Sequence, residues 1–347
     1  LFPYTTLFRS PLGLAFGPDV ATSSHAALGG MIGNNSAGAR SILYGRTVEH
    51  LLGMSICLAD GTQLSLYEGA SEDSEQVRAL TQQVADVVLA VKDEIRARYP
   101  KTTRRVDGYH LDMMLDQIER STPGTFDRVN LAHLICGSEG TLAVMREATL
   151  NLVEKPKSVG LAIITFTDLD AALEALGSIL ETEPAAVELL DDMVIKLARE
   201  NAECRRYVEL LPQPEEGEIG AVLYVEYYAM SDESREERFR ELRHRFPGAP
   251  IAEYREPADM SRAWKLRKSG EPLLHGLPGK RKPLTFIEDT AVAPERLPGF
   301  VKEFRDIVEE NGTKAAFYAH ASVGCLHIRP LIDIHDEADR RRMQQIA

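Results

Sequence analysis

The sequence predicts an α+β fold in two parts that meet near Glu154 to Pro156, and three patterns carry that prediction. An Asp-Gly turn sits between two runs of alternating apolar residues in the first part. A long segment with apolar residues at helical spacing follows it. From about Lys157 onward, strand-like and helix-like segments alternate without glycine-rich connections. That alternation suits a mostly antiparallel sheet with helices returning to one face, a ferredoxin-like arrangement.

Residues 1–10, LFPYTTLFRS, do not lead coherently into PLGLAFGPDVATSSH and are set apart as a non-native end. Gly, Ala, Ser and Asn dominate up to about Gly45. Leu52 to Leu58 then alternates, Ala59-Asp60-Gly61-Thr62 turns the chain, and Gln63 to Leu66 alternates again. A helix follows Ser71 to Ser74, with Val77, Leu80, Val84, Val87, Val88, Val91 and Ile95 on its apolar positions and a stop at Tyr99 before Pro100. Leu131 to Ile135 and the stretch after Val144 read as β-like. In the second part Ser158 to Thr167 reads as a buried strand. Asp168 caps a helix through about Leu180, and Ala186 to Leu190 is a second strand. The pattern recurs with a strand at Ile219 to Tyr228 and helices at Asp232 to Arg245 and Pro257 to Lys268. A strand at Leu284 to Thr290, a helix at Glu295 to Asn311, and strands flanking Ser322-Val323-Gly324 complete it.

With 347 residues, 44% apolar and 27% charged, the chain can fill two cores. Subtracting 53 acidic from 40 basic residues leaves a net charge of -13, which works against nonspecific duplex binding and excludes nucleic acid as the main partner. No run approaches the ~18 apolar residues of a membrane span, and residues 1–10 lack the features of a signal peptide. The expected location is cytoplasmic, at most peripheral at the inner membrane. Cys57, Cys136, Cys204 and Cys325 are scattered and form no CxxC pair, so they read as reduced thiols.

Four segments could carry chemistry. In LGGMIGNNSAGARSILYGR, Gly29, Gly30, Gly33, Gly38 and Gly45 are interleaved with Asn34, Asn35 and Ser36. Such a loop can bring backbone amides close to an anion or a flat ring, and it can equally be a tight structural loop. Its G-G-x-x-G spacing disfavours a nicotinamide Rossmann site. CGSEGTLAV, Cys136 to Val144, reads as a small-residue turn between two strands that could press Gly137, Ser138 and Gly140 against a cofactor, or as a plain hairpin turn. In YAHASVGCLHIRP, His320 and His327 would point to opposite faces of one unbroken strand. A turn at Ser322 to Gly324 brings both to one side, where they could share a zinc-like ion or remain two unrelated histidines. In Trp264-Lys265-Leu266-Arg267-Lys268, Arg267 suits a substrate carboxylate, while such cations also suit a helix C-terminus.

The ordered set of motifs resembles the FAD-linked D-2-hydroxyacid dehydrogenase branch of the vanillyl-alcohol-oxidase superfamily, with its PCMH-type FAD-binding domain. That branch carries a GG-x-x-x-x-N-x-x-G-x-R loop, then GY-x-L, then GSEGTLG. Here the loop runs from Gly29 through Asn35 and Gly38 to Arg40, and Gly108-Tyr109-His110-Leu111 is the middle element. The resemblance implies that residues 11–155 are the second part of an FAD-binding domain and that 156–347 are an FAD-linked oxidase C-terminal, substrate-binding cap domain truncated at its end. It places Gly29, Gly30, Gly33, Asn34, Asn35, Ser36, Gly38, Tyr109, Gly137, Ser138, Glu139, Gly140 and Thr141 around FAD.

The same resemblance implies a divalent, zinc-like metal on His320 and His327, with Arg267 as the substrate clamp and Arg329 and Lys282 as weaker candidates for a second anionic group. Glu188 and Asp191, in VELLD, match a family E-x-x-D strand end, where capping or packing competes with catalysis. Ser322-Val323-Gly324-Cys325 departs from the common G-D-G-N version, and Arg329 stands where Asn is frequent. This form resembles large members fused to a C-terminal iron-sulfur domain, so any cluster belongs outside this stretch. The implied reaction takes a small 2-hydroxyacid, D-2-hydroxyglutarate or D-lactate, to its 2-oxoacid by hydride transfer to flavin N5. The electron acceptor (quinone, cytochrome or electron-transfer flavoprotein) stays open, and a homo-oligomer is compatible. A pyrophosphate-binding loop is expected upstream of Pro11, and a third metal ligand with the general base beyond Ala347. An alcohol or sugar oxidase using O2 and a non-catalytic fragment are the competing readings.

Overall fold

The computed structural model describes residues 12–23 and 25–347. The ten-residue N-terminal stretch set apart above lies outside the described residues. The chain divides into two compact units, one ending at Lys155 and the other running Pro156–Ala347.

In the first unit a three-stranded antiparallel sheet has the order Gln63–Tyr67, Leu51–Cys57, Val144–Leu150. The Asp60 side chain accepts from the Thr62 amide at 2.9 Å, which closes the predicted hairpin turn around Gly61. The long helix is Glu75–Ala90, capped by Ser74, and it breaks at Val91 before a second segment, Lys92–Arg98. Its buried stripe is Val77, Thr81, Ala85 and Val88, whereas Val87 and Val91 are exposed. The core uses two small or polar residues of the stripe, so counting valines alone misplaces its centre. Helix Leu111–Arg120 adds Met114 and Leu115 to this core.

Two further expectations for this unit change. Residues Leu28–Asn34 are a short helix, anchored by buried Met31 and Ile32, instead of a loop. Gly29, Gly30, Gly33 and Gly38 therefore have ordinary φ, and the left-handed residue is Asn35 at φ 54°. Residues Ala132–Ile135 are also helical, so the Cys136–Val144 segment joins a helix to a strand.

The second unit is built on one antiparallel sheet in the order Lys282–Pro283, Cys325–Ile332, Ala315–His320, Ala186–Asp191, Ala221–Ala229, Ser158–Phe166, Ile251–Tyr254, with Ile287–Ala291 also paired to Cys325–Ile332. Of the strand expected at Leu284 to Thr290, the part from Ile287 onward forms, and Lys282–Pro283 is a separate short strand just before the expected start. Helices Leu169–Leu180, Asp232–Arg245 and Pro257–Lys268 match expectation, and Asp168 accepts from the Ala171 amide at 2.7 Å as the cap. The helix expected from Glu295 begins at Leu297 after a 3-10 turn.

Helices cover both faces of this sheet, not one. Val187, Leu189, Leu223 and Val225 pack with Leu173, Phe239 and Val301, whereas Leu190, Val222 and Tyr224 pack with Val194, Tyr207, Ala263 and Leu273. Strands apolar on both faces show no alternation, which is why their second cover, including helix Asp192–Glu200, leaves little trace in the pattern.

Between Ala315–His320 and Cys325–Ile332 the chain turns through Ala321–Val323 and Gly324, whose φ is 65°. A Cβ on Gly324 would run into the Val292 carbonyl oxygen. Gly324→Ala is expected to cost about 3 kcal/mol in backbone strain and overpacking. Thermal unfolding measures it, and an unchanged Tm would show the turn to be less constrained than this.

Candidate functional site

The three glycine-bearing motifs of the first unit converge. The Gly137 amide donates to Ile32 O at 2.9 Å and the Glu139 amide to Gly33 O at 3.0 Å, which ties the turn to the end of the glycine helix. Gly137, Glu139 and Gly140 all have positive φ, and a Cβ on Gly137 would press on Gly108 O, His110 Nε2 and Asn35 Cβ at 3.2 to 3.3 Å. Asn35 is fully buried. Its Oδ1 accepts from the Val48 amide at 2.9 Å and its Nδ2 donates to His110 Nε2 at 3.0 Å. Tyr109 and Thr141 share a hydroxyl hydrogen bond of 2.8 Å, and Asn34 Nδ2 donates to Glu139 Oε1 at 3.2 Å. Ser36 Oγ donates back to Asn34 Oδ1 at 2.9 Å. Arg40 pairs with Asp19, and Gly38 is packed so tightly on Asp19 that no side chain fits there.

A groove of about 500 Å³ opens beside this junction, lined by Gly29, Gly30, Gly33, Ser138, Glu139 and Met145 among others. A Cβ added to any of the three helix glycines meets nothing within 4 Å. The protein's own packing therefore does not require glycine at these positions; the bare backbone keeps the groove wall flat and open. Such a surface fits a planar ring lying against a peptide backbone.

His110 ties this junction to pH. Burial, with the charges of Arg46 and Arg105 nearby, pushes its imidazole from 6.5 down to about 4. The folded value lies below the unfolded one, so this stability is complete above about pH 6.5 and is lost as pH falls toward about 4. Protonation also removes the acceptor that Asn35 uses. Unfolding of the first unit should become easier across that window in wild type, and a His110→Gln variant showing the same pH slope would refute the assignment.

In the second unit, strand pairing places Tyr318 opposite His327 and His320 opposite both Cys325 and Glu188. The two imidazoles meet edge to face with centroids 5.0 Å apart. An ion lies about 3 Å from the centroid of a ring that binds it, so both rings can reach one ion. Glu188 Oε1 takes His320 Nδ1 at 2.7 Å, and Glu288 Oε1 and Asp289 Oδ1 take His327 Nδ1 at 2.5 and 3.1 Å. Carboxylates on Nδ1 direct ligation to Nε2, a donor set that fits a divalent metal. Asp289, Cys325 and His327 also bring one ligand atom each within 4.8 Å of one another.

Arg267, from helix Pro257–Lys268, pairs with Glu188 Oε2 at 2.7 Å and lies 5.2 Å from the Tyr318 ring centroid. Its Nε and the Tyr224 hydroxyl are buried without a hydrogen-bond partner among the described residues. Burial pushes the Glu188 carboxyl up, but His320 and Arg267 outweigh it and hold the group below its ordinary value. Burial likewise pushes His327 down, and Asp289 and Glu288 more than reverse it.

Two expected anion-binding residues do not stand free. Arg329 is 3% exposed, pairs with Glu288 Oε2 at 2.5 Å and donates to the Tyr318 hydroxyl at 2.5 Å, so its charge is already compensated. Lys282 pairs opposite Ile332, five residues or about 17 Å along the strand from His327, and its ammonium donates to Leu277 O. Asp191 is a cap and a brace: it accepts from the Val194 amide at 3.1 Å and the Phe317 amide at 2.6 Å. Sequence reasoning missed Glu288, Asp289 and Tyr318. An acidic pair between the apolar Phe286-Ile287 and Ala291-Val292 was the available signal.

Among the described residues no helix is long and apolar enough to cross a membrane. No disulfide joins the four cysteines, three of which are buried.

Comparison with known proteins adds a family. Residues 155–347 match the model described as FAD linked oxidases, C-terminal domain, and residues 8–67 match an FAD binding domain. A D-2-hydroxyglutarate dehydrogenase of Pantoea ananatis is 30% identical over 358 residues, covering 98% of this chain and 34% of that protein. One of Escherichia coli is 29% identical with the same coverage. The chain thus spans about a third of the length of these curated relatives. A solved structure of an alkyldihydroxyacetonephosphate synthase matches with a TM-score of 0.59 at 14% identity, over 99% of this chain and 58% of that one, a likeness of fold.

Proposed function

The chain belongs to the FAD-linked oxidases, and from that premise we propose that it is the flavin- and substrate-binding part of a dehydrogenase that converts a D-2-hydroxyacid to its 2-oxoacid. The observation that carries this reading is the buried array of Arg267, Glu188, His320 and His327 on one face of the second sheet. Its relatives named for D-2-hydroxyglutarate support that acid as the leading substrate, with D-lactate next.

When bound, FAD supplies the hydride acceptor and a divalent ion on His320 and His327 supplies positive charge beside the substrate hydroxyl. The chain's own residues do the rest. Arg267, whose side chain is 11% exposed, orients the substrate carboxylate through the accessible part of its guanidinium. Glu188 and Tyr318 hold that guanidinium in place. The glycine face of Leu28–Asn34 and the turn Gly137–Gly140 hold the flavin, with Asn35 fixing the junction between them. Residues 11–155 and 156–347 are the corresponding FAD-binding and substrate domains.

The test is anaerobic reduction of the purified flavoprotein. D-2-hydroxyglutarate or D-lactate should bleach flavin absorbance near about 450 nm, whereas the L-enantiomers should not. Absence of bleaching by both D-acids overturns the proposal, and stoichiometric peroxide release with an alcohol would instead make the protein an oxidase.

A further inference from the structure

We propose that Glu188 and Glu288 are a matched pair of positioning residues, each gripping one imidazole and one guanidinium, so that the metal-binding rings and the two arginines form one mechanically coupled unit. The inference rests on the reading of His320 and His327 as metal ligands.

The sheet order makes the pairing possible. The two histidines lie on adjacent strands, Ala315–His320 and Cys325–Ile332. The Glu188 strand flanks them on one side and the Glu288 strand on the other. Glu188 gives one oxygen to His320 Nδ1 and the other to Arg267, both at 2.7 Å. Glu288 gives one oxygen to His327 Nδ1 and the other to Arg329, both at 2.5 Å. Tyr318 locks the two halves together. Its ring lies 5.2 Å from the Arg267 guanidinium and 5.1 Å from that of Arg329, and it stacks on His327 at 4.8 Å.

The backbone at Glu288 departs from regular strand geometry to do this. Successive strand residues point to opposite faces, yet Glu288 and Asp289 both reach the same His327 nitrogen. A register shift between Ile287 and Thr290, with Asp289 at φ 51°, breaks the alternation. Strain of this kind persists where the surroundings over-determine it, commonly at functional sites.

A carboxylate can only accept, so each one requires a proton on the Nδ1 it contacts and reserves Nε2 for ligation. A buried charged network adds little net stability compared with apolar packing of similar volume. Its effect lies in what it positions.

The test compares wild type with Glu188→Gln and with Glu288→Gln combined with Asp289→Asn, since Asp289 can substitute at His327. An amide can present either a donor or an acceptor, which lifts the restriction on the ring. Zn2+ affinity is measured by chelator competition, and ring tautomers by 15N imidazole NMR on metal-free protein at alkaline pH. The expected result is a loss of Zn2+ affinity of about 10- to 100-fold in each variant, with the Nδ1-H form of the affected ring no longer exclusive. A purely structural role would lower the Tm and leave both readouts unmoved. Zn2+ affinity within twofold of wild type, or unchanged tautomers in both variants, overturns the inference. Unchanged Zn2+ affinity in His320→Ala overturns the metal reading by itself, and the tautomer measurement still decides whether the carboxylates set the rings.

Discussion

Arg267→Ala is expected to lower kcat/KM for the D-2-hydroxyacid by about 10²- to 10³-fold, because truncating a buried, hydrogen-bonded charge costs about 2–5 kcal/mol. The same change leaves Glu188, 1% exposed, with the His320 imidazole as its remaining hydrogen-bond partner. Breaking a buried pair from one side destabilises by about 3–5 kcal/mol, so the Tm should fall with the activity. Arg267→Lys separates the two effects. It keeps the positive charge near Glu188 but loses the planar fork, so it should recover much of the stability and little of the KM. Steady-state kinetics and thermal unfolding on the three proteins provide the check. A KM for Arg267→Ala within threefold of wild type would remove Arg267 from the substrate site.

Asn35→Ala should have the largest effect in the first unit. Asn35 is wholly buried, sits at φ 54° where Asn is tolerated better than Ala, and satisfies both the Val48 amide and His110. Leaving the buried amide unpaired and forcing Ala into the left-handed region together cost about 3–5 kcal/mol. The flavin-to-protein ratio after purification should drop sharply along with the Tm. Asn35→Asp retains the acceptor and a tolerated backbone while losing the donor to His110, and should fall between. Full flavin occupancy in Asn35→Ala would show that the junction does not organise the groove.

Much of the second unit was legible because its signals are local. Asp168 announces its helix through a cap three residues away, and the Ser322 to Gly324 turn is written in small residues between two apolar runs. The partners of the histidines were not legible. Glu188 lies 132 positions from His320 and Glu288 lies 39 from His327, and no periodicity connects them. Only the sheet order brings those strands together. The glycine segment misled for a different reason. Three glycines in seven residues contradict helix propensity, and the helix exists because Met31 and Ile32 anchor it and the turn at Gly137 bonds to its end. Arg329, a candidate for a second anionic group, has its charge compensated by Glu288 from another strand, a contact that its sequence neighbours do not announce.

That glycine-rich helix also bears on how the protein gains and loses order. Each interior glycine costs about 1 kcal/mol relative to alanine, so Leu28–Asn34 belongs to the fraction of the fold with the lowest free energy of opening. Its amides should exchange with solvent deuterium faster than those of the neighbouring sheet in the flavin-free protein. A ring seated on the bare face would slow them more than any others in the unit. With the flavin seated there as proposed, it would act as a late partner in folding, and loading the cofactor and completing the fold would be the same thermodynamic event.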